Sequence, residues 1–147
     1  MKVEIFTLCD FASADAGGKL NVIGSFDHIW AMQVPVVWPL CALAAKIRFQ
    51  MVEQGTKKIR ISFIDADGTS VMPTLEAPIT VQFQPGESTA TVPFVMIMQQ
   101  IKLPHFGEYS IDLAIDGTQQ ASIPLIARQV RLPPAAQIQP TEKPPEQ

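Results

Sequence analysis

The side chains of this sequence that could do chemistry are few: His28 and His105, Cys9 and Cys41, and a scatter of carboxylates. Asp27 directly precedes His28, and Asp10 and Asp15 fall in neighbouring elements. A carboxylate beside an imidazole fixes the ring's tautomer and lets it act as a base near neutral pH, so Asp10, Asp27 and His28 would suit a hydrolase-like cluster. Nothing in their spacing pins the three together, and the competing reading is of structural or solvent-facing histidines. Neither histidine has a second ligand at metal-binding spacing, and Cys9 and Cys41 form no Cys-x-x-Cys pair. In a reducing compartment the two cysteines read as buried thiols, with a disulfide or a reactive thiol as the alternative. Asp65-Ala66-Asp67-Gly68-Thr69 begins like a calcium loop and puts Glu76 at its twelfth place. Such a loop needs glycine at the sixth place, here Ser70, and flanking helices, so an Asp-Gly turn between strands fits better. There is no Gly-x-Ser-x-Gly elbow and no phosphate-binding glycine loop. The expectation is a non-catalytic protein with no metal and no cofactor; the rival is an enzyme of unassigned reaction using Asp10, Asp27 and His28.

Two further groups suit binding. If segments 40–50 and 57–65 pair as a hairpin turned near Gln54, Lys46, Arg48, Lys58 and Arg60 share one outer face, mainly exposed, with Arg48 roughly opposite Arg60. That face would dock an acidic protein partner, unless carboxylates such as Glu108 and Asp112 interleave with the cations. Trp30 and Trp38 bracket a proline-rich crossover with Val34, Val36 and Val37 between them, and read as either a plug at one end of the fold or a partner site. Self-association through an edge strand is a further expectation. A net charge of −3 offers no general attraction to nucleic acid or anionic lipid. No apolar run reaches the roughly 18 residues of a spanning helix, so neither nucleic acid nor membrane is expected as a partner.

Strands must position these residues, because apolar and polar side chains alternate with period two almost throughout. Residues 2–12 are apolar on both sides, as in a strand covered on both faces; a turn at 14–18 follows, and Leu20, Val22, Phe26 and Trp30 continue along one face, with Gly24 free for a bulge or close approach. Residues 33–39 carry two prolines and should cross between sheets. Residues 40–50, 57–65, 79–83 and 89–101 read as further strands, the last long enough to bend. A closing hairpin spans 107–130, with Asp116-Gly117 as its turn and Tyr109, Ile111, Leu113, Ile123, Leu125 and Ala127 inward.

No segment has helical periodicity, which leads to an all-β expectation: an antiparallel two-sheet β-sandwich of about eight strands, immunoglobulin-like or of related Greek-key topology. Pro104 and Gly107 ahead of Tyr109 match the corner in such folds where a tyrosine hydroxyl bonds to upstream backbone. Leu20, Val22, Leu43, Ile47, Ile61, Val81, Tyr109, Ile111 and Leu113 should share one core. The 147 residues suit one domain over 1–132, followed by a proline-rich tail over 133–147 expected to be disordered. Glu4 and Asp10 interrupt what would be the apolar stretch of a signal peptide, which leads to a cytoplasmic expectation. The opening Phe-x-Leu-Cys-Asp-Phe-Ala, the run Gly18-Lys19-Leu20-Asn21-Val22-Ile23-Gly24 with Phe26-Asp27 and Trp30, and the late Pro-x-x-Gly-x-Tyr resemble an uncharacterised bacterial family of small single-domain proteins of unknown function. The resemblance spans about residues 3–130. It implies a bacterial cytoplasmic setting and brings no activity, cofactor or site residue.

Overall fold

Alternation becomes strand along most of the chain in a computed structural model, which describes residues 1–131. The strands are β1 (Lys2–Ala14), β2 (Leu20–Ser25), β3 (His28–Ala31), β4 (Val36–Gln50), β5 (Gly55–Asp65), β6 (Leu75–Val81), β7 (Thr89–Leu103), β8 (Gly107–Ile115) and β9 (Thr118–Gln129). Among the described residues the one helical turn is a 3₁₀ turn at Met51–Glu53. The segment 133–147 and the last residue of the expected 1–132 domain lie outside them.

The strands form a four-stranded sheet in the order β2-β1-β4-β7 and a five-stranded sheet in the order β3-β9-β8-β5-β6. Neighbours run antiparallel except β3 and β9, which are parallel. The stretch from Leu20 to Trp30, expected as one strand, is two: the chain leaves β2 after Ser25, and β3 joins the other sheet beside β9. The expected crossing between sheets is at 32–35, so Pro39 lies within β4. It is tolerated there because β1 pairs with β4 no further than Cys9 with Ala42, and Pro39 has only β7 beside it.

The hairpin expected from 40–50 and 57–65 does not form. β4 pairs with β1 and β7, while β5 pairs with β6 and β8 in the other sheet. No two-residue turn signal occurs between the two segments. The 3₁₀ turn carries the chain across, held by the Glu53 carboxylate, which accepts the Gln50 N–H at 2.7 Å and meets the Met1 ammonium at 3.1 Å.

One core lies between the sheets. Leu43, Ile47 and Phe49 of β4 face Ile59, Ile61 and Phe63 of β5 and Tyr109, Ile111, Leu113 and Leu125 of the closing hairpin, all buried. Each such side chain contributes roughly 1.5–3 kcal/mol on burial. Leu20 and Val22 are not in it. They form a second, smaller cluster with Cys9, Ala12, Ala42, Ala44 and Val95. Ala42 and Ala44 alternate with Leu43 and Ala45, so this cluster sits on the outer side of the four-stranded sheet. The β1–β2 hairpin is folded over that side, and its turn residues Gly17 to Asn21 share a cleft with Ile5, Lys46 and Thr91 of the outer face. The alternation of β1 slips by one residue on the way: Cys9 and Ala12 are buried, and Asp10 and Phe11 between them are exposed. Gly24, opposite Asp10, absorbs the bend with φ +69°.

A second slip lets long β7 bend, as its length led us to expect. Val36 and Trp38 face the main core, as do Cys41 and Leu43, so the inward positions shift at Pro39 and Leu40; across the ladder Leu103, Ile101, Met98 and Met96 show the same shift around Gln100, at φ 53°. The turns follow the sequence: Asp116 at φ 48° and Gly117 at 81° close the β8–β9 hairpin. The Tyr109 hydroxyl donates to the His105 carbonyl at 2.7 Å and accepts the His105 N–H at 3.2 Å, as the Pro-x-x-Gly-x-Tyr pattern foretold.

Candidate functional site

Asp27 and His28 stand where the chain passes from β2 to β3, and the imidazole Nδ1 lies 2.6 Å from the Asp27 Oδ1. Asp27 lines an open cleft of about 300 Å³ with Thr7, Ser25, Phe26 and Pro124, in which the Thr7 and Ser25 hydroxyls bond to each other. Asp10 does not join the pair. Its carboxylate lies over Gly24, because Asp10 falls on the strand-register position directly opposite that glycine. Among the described residues no hydrogen bond links Asp10 to Asp27 or His28, and no three His, Cys, Asp or Glu side chains gather so as to hold a metal ion. His105 is tied into the tyrosine corner, its ring stacked on Tyr109 at 5.4 Å. The Asp65 carboxylate closes its own turn, Oδ1 accepting the N–H groups of Asp67 and Thr69 at 2.9 Å each, while Glu76 is turned to Lys58.

Because β4 and β5 belong to different sheets, the four cations form no common face. Lys46 and Arg48 are half-buried on the outer side of the four-stranded sheet, converging on Glu4 of β1. Arg48 also donates to the Thr89 Oγ1 at 3.0 Å, spanning β1, β4 and β7. Its hydrogen bond holds the Glu4 carboxyl below the ordinary carboxylate range. Lys58 and Arg60 are exposed on the five-stranded sheet, where Lys58 meets Glu76 at 2.6 Å and lowers that carboxyl in the same way. Carboxylates do interleave with the cations, but they are Glu4 and Glu76 rather than Glu108 and Asp112.

The two tryptophans separate. Trp38 is half-buried against the core, its ring 5.7 Å from that of Phe26. Trp30 is 59% exposed. Alternation along β3 turns Ile29 and Ala31 inward and His28, Trp30 and Met32 outward; on β9, Leu125 and Ala127 turn inward and Ile126, Arg128 and Val130 outward. The parallel register sets His28 beside Ile126 and Trp30 beside Arg128, and the Val130 N–H donates to the Ala31 carbonyl at 2.9 Å, bringing Val130 next to Met32. The outcome is a strip in which Trp30 stacks on His28 at 6.3 Å while Met32 and Val130 are 60% and 37% exposed. β3 ends the five-stranded sheet, so among the described residues the strip runs along an open sheet edge.

One group escaped sequence reasoning. Ser110 and Ser122 both donate to the Asp112 Oδ1, at 2.7 and 2.6 Å, on the outer face of the closing hairpin. The register set by Asp116-Gly117 is the signal that would have found it, since it places Asp112 opposite Ser122. Both hydroxyls give their protons to a carboxylate shared between them, which satisfies them without making either a nucleophile. Beside them Ile64, Asp65, Glu108 and Pro124 line an open cleft of about 550 Å³.

The chain belongs to a family of unknown function, DUF6941, whose model matches residues 4–128. No curated protein matches it. Among solved structures it is similar to the Pseudomonas fluorescens alkylpurine DNA glycosylase AlkC bound to DNA containing an abasic site analog, at 8% identity and a TM-score of 0.41. The match covers 86% of this chain and 30% of that one, and likeness at this level bears on neither fold nor function.

Proposed function

We propose that this chain is a non-catalytic binding module, a two-sheet β-sandwich of immunoglobulin-like kind working in a bacterial cytoplasm, that takes a protein partner along the β3–β9 edge. The observation that carries the reading is the exposed strip of Trp30, Met32 and Val130 on an open strand. An exposed tryptophan beside a flexible methionine supplies large apolar area at small entropic cost, and an open strand edge supplies backbone partners for an extended segment. Arg128, in register with Trp30, favours a partner that carries acidic residues beside its apolar contact. The cytoplasmic setting is supported by Cys9 and Cys41, both buried free thiols on opposite sides of the four-stranded sheet. Among the described residues no helix is long and apolar enough to cross a membrane. The hydrolase-like alternative loses ground because Asp10 lies over Gly24, away from the Asp27–His28 pair.

A photo-crosslinking residue placed at Met32, and as a control at Val52, which is 93% exposed on the 3₁₀ turn, tests this in the native host. A discrete protein adduct at position 32 that is lost with Trp30→Ala supports the module. Equal labelling at both positions, or none at 32, removes it.

A further inference from the structure

The cleft where the turn of the β1–β2 hairpin meets the four-stranded sheet differs in charge from those already described. It holds about 360 Å³, and Lys19 and Lys46 line it with Asn21, Thr91, Ile5 and Leu20 but without a carboxylate. The cleft beside Asp27 and the one beside Asp65 and Glu108 both include acidic groups, as suits a chain of net charge −3. Two carboxylates stand close to the lysines, and both are engaged. Asp15 accepts the Lys19 backbone N–H at 2.9 Å, which closes the turn rather than pairing with the ammonium. Glu4 takes Arg48 at 2.5 Å and lies 3.7 Å from the Lys46 ammonium, too far for a hydrogen bond. Lys2 is in register with Arg48, so three cations share the one Glu4 carboxylate. The excess of positive charge beside the cleft attracts anions.

We propose that this cleft binds a small phosphate monoester, with the phosphate between the Lys19 and Lys46 ammonium groups and the organic substituent on Ile5 and Leu20. A phosphate monoester carries close to two negative charges at neutral pH, which the two lysines balance, whereas a single carboxylate would neutralise only one of them. Lysine binds phosphate as a point charge and needs no planar fork, and Asn21 and Thr91 add neutral donors. The volume lies at the lower end of small-molecule sites, and no aromatic ring lines the cleft, so a nucleobase has nothing to stack on. The site is on the sheet opposite the Trp30 strip and stands independently of the partner reading. Lys19 belongs to the hairpin turn and Lys46 to β4, so a bound phosphate bridges the two and holds the hairpin down over Cys9.

The test titrates the full chain with glycerol phosphate at constant ionic strength and follows the backbone amide resonances. Saturable shifts at Gly17 to Asn21, Lys46 and Thr91 are expected. Lys19→Gln and Lys46→Gln should each weaken binding about tenfold, the loss of one charge-assisted contact. Lys102→Gln, an exposed position on β7, should leave binding unchanged. Lys19 is exposed, so its variant decides the matter even where Lys46→Gln lowers stability. Inorganic phosphate should bind several-fold more weakly than the ester; equal affinity overturns the organic substituent and assigns the cleft to the free ion. In a Cys41→Ser chain, saturating glycerol phosphate should slow the labelling of Cys9 several-fold, and an unchanged rate overturns the bridge to the hairpin. The absence of saturable shifts, shifts reproduced by sodium chloride, or shifts that survive both lysine variants overturn the site itself.

Discussion

Ile111 and Leu113 are fully buried in the main core, so truncating either to alanine should cost about 2–5 kcal/mol in urea denaturation, against no more than about 0.5 kcal/mol for Val52→Ala. Gly24 is a subtler case. Its φ of +69° costs any other residue, and a Cβ there would also run into the Asp10 carboxylate. Gly24→Ala should therefore lower stability through both effects, and adding Asp10→Ala should recover only the collision, leaving a backbone cost of about 1–2 kcal/mol. Full recovery in the double variant would mean that the bend at Gly24 relaxes freely. Arg48 acts through Glu4, whose carboxyl it holds below its ordinary value of 4.5. A lowered folded pKa stabilises the fold fully above the unfolded value and loses that contribution as pH falls through the folded value. Melting temperature should fall with pH below about 4.5, and Arg48→Gln should make that fall shallower, since the glutamine removes the cause of the shift. An unchanged slope would assign the acid sensitivity to Glu53 and Glu76, which are also held low.

Single strands were legible, and so were the two hairpins closed by glycine-bearing turns, β1 with β2 and β8 with β9; pairing across the longer links was not. Alternation in 40–50 and 57–65 identified the inward residues of β4 and β5, because side-chain direction is a property of each strand alone. Whether two strands pair depends on what lies between them, and the 3₁₀ turn sends the second to the other sheet. The four-cation face depended on that pairing and went with it. In the sequence β3 reads as the end of β2 because Trp30 keeps the phase of Leu20 and Val22, and nothing local marks the exit at Phe26-Asp27. The Trp30 edge was half legible: both tryptophans stood out by type, but only the parallel pairing of β3 with β9 leaves Trp30 exposed on a sheet edge, while Trp38 on β4 packs against the core. Apolar residues on both sides of 41–45 did carry a signal, that of a strand covered twice, and the β1–β2 hairpin is the second cover. Ala44 is small because that hairpin packs close. Ala44→Leu should overfill the cluster and cost about 1–3 kcal/mol, with amide exchange rising in β1 and β2 while β8 and β9 stay protected. Uniform loss of protection would mean that the hairpin does not move on its own.

Two cores in one molecule raise the question of whether it opens as one unit, and the two cysteines sit where they can answer it. Cys41 belongs to the main core and Cys9 to the cluster beneath the hairpin, and neither is open to solvent. Burial raises both thiol pKa values, that of Cys41 to about 11, so the reactive thiolate is scarce until each site opens. Exposing Cys41 requires the two sheets to part, which is global unfolding. Exposing Cys9 requires only that Leu20 and Val22 lift from Ala42 and Ala44. Local openings of that kind lie below the global free energy, because they release fewer buried contacts. With Cys41→Ser and Cys9→Ser isolating each thiol in turn, Cys41 should be labelled at the rate set by global unfolding in urea-extrapolated kinetics, and Cys9 several-fold faster. Ala44→Leu should speed Cys9 more than Cys41, because it strains only the outer cluster. Equal labelling of the two thiols in both backgrounds would show that the hairpin and the sheets unfold together, and that the second cluster is an extension of the first core rather than a separate unit.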